Sequence, residues 1–299
     1  MASGTSLAER SEPLALRFAT LGLLILSPIV GEKSARERVG YAYAVWTLLV
    51  YNLRAQHGRA VLGVLWTLLV PLIFLAVYVP ILSGMMSGSS GAEDLIGSGR
   101  LAFPVYVLCG FLPWMAFVDA VQSGGACLAS NAGVVHHSPI PLTILPIVKV
   151  LNGLVGLLLG SGFLFLFLAA VGRFPGPSVL LFPVAVALLG ALAAGLALLF
   201  SALTVYVRDM IQIVATILQI EFFAAPLLYT PDMIGNPIGE MLIAANPMTP
   251  YLNLFRASFI REFPFAALDL VLAVVYAAVA LIVGTVVFRK LELGMADHV

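Results

Sequence analysis

The stretch Ser130–Lys149, SNAGVVHHSPIPLTILPIVK, interrupts two long apolar tracts with small polar residues, a histidine pair and three prolines. Its reading decides the fold. Proline supplies no backbone donor and disfavours helix at the residue before it, so the chain must turn sharply around Pro139 and Pro141. The tracts on either side are too apolar for water. Of 299 residues, 61% are hydrophobic and 10% charged, against about 25% charged in an ordinary soluble domain. The chain therefore reads as an all-α integral membrane protein, with Ser130–Pro141 as a short exposed elbow between two spans. With 15 basic and 15 acidic side chains the net charge is zero, which points to neither nucleic acid nor a polyanionic surface as a partner.

Working outward from the elbow, six stretches reach the roughly 20 apolar residues that cross a bilayer. They lie near 61 to 83, 103 to 122, 143 to 171, 178 to 205, 211 to 230 and 266 to 290. The basic residues orient them. Seven precede the first span (Arg10, Arg17, Lys33, Arg36, Arg38, Arg54, Arg59), and Arg208, Arg289 and Lys290 bring that side to ten. The opposite connections hold four, Arg100, Arg173, Arg256 and Arg261, while Lys149 falls inside a span. Positive charge stays in the cytoplasm, so both termini and the elbow are expected there. No linker or repeat divides the chain. It reads as a cytoplasmic N-terminal segment over 1–59, one transmembrane domain over 60–290 and a cytoplasmic tail over 291–299.

Two further segments carry apolar sequence without spanning. Phe18–Val30 is apolar for 13 residues, too short to cross, and lacks a signal-peptide cleavage site, so an interfacial position is expected. YAYAVWTLLVYNLRAQHGR, from Tyr41 to Arg59, joins Tyr41, Trp46 and Tyr51 to a basic end and reads as a helix in the cytoplasmic interface; a helix packed inside the protein is the alternative. The longest outer connection, about 231 to 265, is half apolar and broken at Asn246-Pro247 and Pro250. Two short re-entrant helices, around IGEMLIAA and YLNLFRASFI, are expected. Cys109 and Cys127 read as buried thiols, about 27 Å apart if on one helix.

Much catalytic chemistry is missing from the sequence. None of the three lysines follows a glycine, so there is no G-x-x-x-x-G-K-[ST] loop for nucleotide. No Cys, Asp or Glu stands at metal-ligand spacing around His136 and His137. One ionisable group falls near mid-depth of a span, Glu221 in LQIEFFAAPLLY. Its ionised form costs on the order of 2.5 to 3.5 kcal/mol on insertion scales, taking Asp as the guide. It is expected to be protonated, paired, or facing an aqueous or interfacial path.

Several blocks resemble the permease subunits of ABC-2 type exporters for O-antigen polysaccharide, teichoic acid and capsular glycans: VLGVLWTLLVPLIF, GFLPWMAF, SNAGVV with PIPLTILPIVKVL, LFSALTVYVRDM, QIEFFAAPLLY and NPMTPYLNLFRASF. Their order and spacing over roughly 41 to 290 carry the resemblance. It implies a homodimer of six-span subunits, with a separate ATPase subunit beneath each that binds ATP and magnesium; this chain holds no cofactor. It implies that the elbow docks on the ATPase through Asn131, Gly133, Val135, His136, His137, Ser138, Pro139 and Pro141. It further implies a conduit lined by the first and fifth spans, for which Trp66, Tyr78, Glu221, Phe222, Phe223 and Tyr229 are the candidates, and an extracytoplasmic gate near Asn246, Pro247, Tyr251, Phe255 and Arg256. Arg54 and Arg59 stand where an anionic lipid pyrophosphate would enter, although the positive-inside bias alone also accounts for them. Membrane-border aromatics are equally read as interface anchors. Tyr51 and Asn52, Glu221 and the elbow histidines depart from the usual pattern and leave the cargo and the ATPase surface open.

The function expected is export of a lipid-linked polysaccharide. An ABC-2 exporter of small molecules or drugs is the nearest alternative. An intramembrane glycosyl or phosphoryl transferase is the more distant one, since the acid, base and metal groups for it are absent.

Overall fold

The computed structural model describes residues 35–57, 65–66, 69–74, 76–77, 102–131, 141–230, 236–292 and 294–295. All regular structure among them is helical. We label the helices α1 (Ala35–His57), α2 (Ala102–Ala126), α3 (Ile144–Ala170), α4 (Leu181–Tyr206), α5 (Met210–Ala224), α6 (Pro237–Ala245), α7 (Thr249–Phe259) and α8 (Ala267–Glu292). Short 3-10 turns at Ala129–Asn131 and Pro177–Leu180 follow α2 and lead into α4. Described helical residues also lie between 65 and 77, within the expected first span.

Four helices are long and apolar enough to cross a membrane: Phe103–Ala126, Ile144–Ala170, Pro177–Tyr206 and Ala267–Glu292. The 27 residues of α3 make about 40 Å at a rise of 1.5 Å per residue, enough to cross about 30 Å of hydrocarbon with a tilt. These are the second, third, fourth and sixth expected spans. The fifth is different. Instead of a helix over 211–230, α5 stops at Ala224 after 15 residues, about 22 Å, and the chain continues as bends to Thr230. The cause is local: Pro226 pushes Ala225 out of the α region, to φ −77° and ψ 142°.

Burial separates the helices into layers. The apolar window of α2 is 72% buried and that of α8 only 22%, so α2 is the central column and α8 faces outward. Around α2 pack α3, α4, α5 and α7. The exposed positions on α3, α5 and α8 are largely Leu, Ile, Val and Phe, the surface suited to lipid rather than water. The most extensive helix pair is α4 with α8, and glycine makes its closeness possible. A Cβ on Gly284 would lie 2.8 Å from the Gly195 carbonyl carbon, and one on Gly195 would collide with the Ala280 carbonyl. Small residues at such a crossing let backbones touch, which matters where lipid removes the hydrophobic drive between helices.

Helix α1 combines both expectations for it. Tyr41 and Leu49 are buried against Ile144 and Val148 at the start of α3, and Tyr41 Oη lies 3.3 Å from Thr143 Oγ1. Tyr43, Trp46 and Tyr51 remain exposed on the other side. Tyr41 is thus a packing residue rather than an interface anchor, whereas Trp46 and Tyr51 stay free for that role. Phe18–Val30 lies outside the described residues.

Candidate functional site

The site is built where α5 breaks. An interrupted helix frees carbonyl groups, and at membrane depth these must find donors within the protein. Here side chains supply them. Tyr229 Oη donates to the carbonyls of Phe223 and Ala224, at 3.0 and 3.1 Å. Tyr106 Oη, from α2, donates to Tyr229 O at 3.2 Å. Arg256, from α7, donates through Nη2 to Pro226 O, and reaches Leu227 O at 3.5 Å. Donors from two other helices therefore hold the irregular segment Ala225–Thr230.

Arg256 is the least expected of these. In the sequence it counts as an outer-loop charge; in the fold it is 1% exposed, among the largest fully buried side chains. Its guanidinium lies over the Tyr106 ring, 3.7 Å from the centroid, a geometry in which a cation is held by the ring's quadrupole. Its Nε has no hydrogen-bond partner. Gly110 makes the space, since a Cβ there would come within 3.0 Å of Nη2. Tyr251 and Phe255, grouped with Arg256 as gate candidates, are likewise buried inside the subunit; Tyr251 Oη donates to Ala273 O at 2.7 Å.

The remaining gate candidates meet a path candidate. Asn246 Oδ1 accepts from Met248 N at 2.8 Å, and Thr249 Oγ1 donates to Ile243 O at 2.7 Å, so the α6–α7 turn is ordered by its own side chains. The Asn246 amide nitrogen is left for the Glu221 carboxyl, its side-chain hydrogen-bond partner. Glu221 Oε1 is buried and without a partner. A cavity of about 190 Å³ runs between α2, α4 and α5, with Glu221, Pro247 and Met248 at one end and apolar side chains such as Phe117, Leu196 and Ile217 along it.

Aromatic rings cluster where α2 meets the end of α5, with Phe111 and Trp114 buried. Phe74 stacks on Phe111 at 3.9 Å and meets Phe222 edge-on at 6.1 Å. Trp114 lies 6.0 Å from Phe222, which meets Phe223 edge-on at 5.2 Å. Phe223 is 69% exposed and Trp66 is 48% exposed, so both present rings outward. Tyr78 lies outside the described residues. Tyr229, by contrast, is tied to the backbone break.

Four long apolar helices, a shorter one that breaks before Pro226, two short helices after it and no nucleotide loop in the sequence narrow the field, and sequence comparison decides it. Residues 43–260, well over half of the chain, match the family described as ABC-2 type transporter. The chain belongs to that family. This ABC-2 permease is 28% identical over 225 residues, 75% of its length and 83% of the relative's, to the O-antigen export system permease protein RfbA of Myxococcus xanthus. It is 23% identical over 268 residues, 87% and 96% of the two chains, to the protein of the same name from Klebsiella pneumoniae. To the polysialic acid transport protein KpsM of Escherichia coli it is 20% identical over 252 residues, 84% and 94%. The ABC-2 permease is a multi-pass membrane subunit, and the family works with an ATPase that this sequence does not contain.

The elbow residues Gly133, Val135, His136, His137, Ser138 and Pro139 lie outside the described residues, as does Arg59. The elbow's shoulders are described. Asn131 is exposed and its Nδ2 donates to Cys127 O at 2.7 Å, closing the turn after α2. Pro141 O accepts from Ile144 N at 3.0 Å and starts the first turn of α3. Arg54 is exposed on α1. Lys149, on α3, donates to Asn52 Oδ1 on α1 at 2.9 Å, with Asp119 of α2 near enough to attract it. Cys109 and Cys127 are free and buried. No group of three or more metal-ligating side chains occurs among the described residues.

Sequence reasoning missed Tyr106, Gly110 and the interior position of Arg256. One signal was available: Pro226 marks the break in the fifth span.

Proposed function

We infer that this permease exports a lipid-linked polysaccharide across the plasma membrane, as a homodimer of six-span subunits with both termini in the cytoplasm. Two separate ATPase subunits, which bind ATP and magnesium, drive it. The observation that carries the reading is similarity over 83% and 96% of the lengths of two relatives named as O-antigen export permeases. The exposed rings of Phe223 and Trp66 and the half-buried ring of Phe222 support it in chemistry. Sugar C–H faces pack on rings while hydroxyls stay wet, so a polymer slides without one deep well. Residues 60–290 form the transmembrane domain. The elbow from Asn131 to Pro141 seats on the ATPase, and Arg54 and Arg59 meet the anionic lipid carrier at the cytoplasmic side. Glu221, Phe222, Phe223, Trp66, Tyr78 and Tyr229 serve the path; Asn246, Pro247, Tyr251, Phe255 and Arg256 serve the outer gate.

The test is deletion of the gene in its host, followed by extraction of lipid-linked glycan from the cytoplasmic leaflet. Accumulation that a plasmid copy reverses is expected. Unchanged glycan together with lost efflux of a small amphiphile would replace this reading with small-molecule export.

A further inference from the structure

The buried guanidinium of Arg256 calls for an explanation beyond packing. A charge 1% exposed is normally matched by a carboxylate, because an unpaired ion in low dielectric is costly. No ion pair to Arg256 occurs among the described residues. Its polar contacts are the carbonyls of Pro226 and Leu227 and the face of Tyr106. These partners sit on different elements: the carbonyls in the irregular segment after α5, the ring on α2, and Arg256 itself on α7. One side chain thus joins three parts of the fold at the point where the fifth helix ends. Tyr106 repeats the connection, since its ring carries the cation while its hydroxyl binds Tyr229 O at 3.2 Å. Gly110, one turn further along α2, leaves the room that any side chain would take.

We propose that Arg256 is a positioning residue that clamps the broken end of α5 to α2 and α7, so that these three parts move as one rigid body during transport. The clamp suits a break that must stay broken. Carbonyl dipoles at the end of an interrupted helix are partly negative, and a fixed cation satisfies them without competing for a titrating carboxylate. A planar guanidinium stacks and donates in the same plane, whereas an ammonium does neither well, so lysine is a poor substitute. The arrangement positions Phe222, Phe223 and Tyr229 for the path. The proposal rests on the transport reading for its functional consequence, but not for its geometry.

Cys109 is a native reporter. It is 2% exposed and lies beside the guanidinium. The complete complex, permease with its ATPase in proteoliposomes, is treated with N-ethylmaleimide with and without ATP, and Cys109 modification is located by peptide mass. In the wild type, Cys109 stays shielded in both states. In Arg256→Met it becomes modified at least tenfold faster, glycan export falls at least tenfold, and ATP hydrolysis continues. Arg256→Lys recovers only part of the export. Tyr106→Phe, which keeps the ring but loses the bond to Tyr229 O, loses part of the export, and Tyr106→Leu, which loses both, loses more. If Arg256→Met does not accumulate, Gly110→Ala carries the test, because its methyl crowds Nη2 at 3.0 Å and is expected to give a severalfold loss of Cys109 protection. Modification of wild-type Cys109 on adding ATP overturns the rigid body. Unchanged Cys109 protection in Arg256→Met, or in Gly110→Ala where that variant carries the test, overturns the clamp. Loss of Cys109 protection in Arg256→Met, with no glycan accumulating in the deletion strain, retains the clamp and removes the glycan reading.

Discussion

Replacing Gly195 by alanine adds one methyl group where α4 and α8 already touch through their backbones. That methyl would collide with the carbonyl of Ala280, and in the reciprocal Gly284→Ala the new carbon lies 2.8 Å from the Gly195 carbonyl carbon and 3.1 Å from its Cα. Ordinary contact begins near 3.4 Å, and the opposing atoms belong to a helix backbone that has no rotamer to change. The helices must part. A gap of about 0.5–1 Å forfeits roughly a quarter to a half of each dispersion contact of ~0.1–0.2 kcal/mol, and a buried leucine such as Leu198 makes about 40 or more of them. The loss at one such residue is then already about 1 kcal/mol, within the roughly 1–3 kcal/mol found for overpacked cores. Alanine returns up to about 1 kcal/mol of helix propensity. Taking the upper end for a backbone collision leaves a net loss of about 2 kcal/mol, or a fall of roughly 4–8 °C in melting temperature.

The control is Gly162→Ala on α3, where a Cβ meets nothing within 4 Å. There the propensity gain of up to about 1 kcal/mol stands alone and raises the midpoint by roughly 2–4 °C. Thermal unfolding of both purified variants in the same detergent, followed by tryptophan fluorescence, separates them. Should Gly195→Ala melt at or above wild type, the backbone contact between α4 and α8 is not what the structure describes.

Glu221→Leu removes the carboxyl at the end of the cavity together with its Asn246 partner, and a net hydrogen bond of about 0.5–1.5 kcal/mol corresponds to a loss of transport of up to about tenfold; Glu221→Gln keeps the hydrogen bond and most of the activity. Equal transport by Glu221→Leu at equal expression refutes a role in the path. An aspartate at Val135 or His137 is expected to reduce export at least tenfold while membrane insertion is unchanged and ATP hydrolysis runs on; coupling preserved in both variants argues against docking through the elbow. Lys149→Met breaks the 2.9 Å bond to Asn52 that ties α1 to α3. About 1 kcal/mol of that attachment is lost, and trypsin should cut after Arg54 severalfold faster, whereas an unchanged cleavage rate means that apolar packing alone holds α1.

By itself the sequence determined that the chain is a membrane protein, where its long helices lie and where the connection before the last of them folds into two short ones. α3, α4 and α8 begin and end within a few residues of their expected places, and α6 and α7 meet at Asn246-Pro247 as expected. These are local properties: apolar length, proline and capping residues act over one helix or less. The identity of the buried residues was decided only by the tertiary structure. Arg256, Tyr106 and the carbonyls after Pro226 are separated by about 30 to 150 positions, and nothing in a linear tally of charges says that a loop arginine will be folded beneath α2. The fifth span shows both sides of the division. Its proline announced the break, but whether an interrupted helix can persist in the membrane depends on donors from elsewhere in the chain, because each freed carbonyl must be satisfied where no water reaches it.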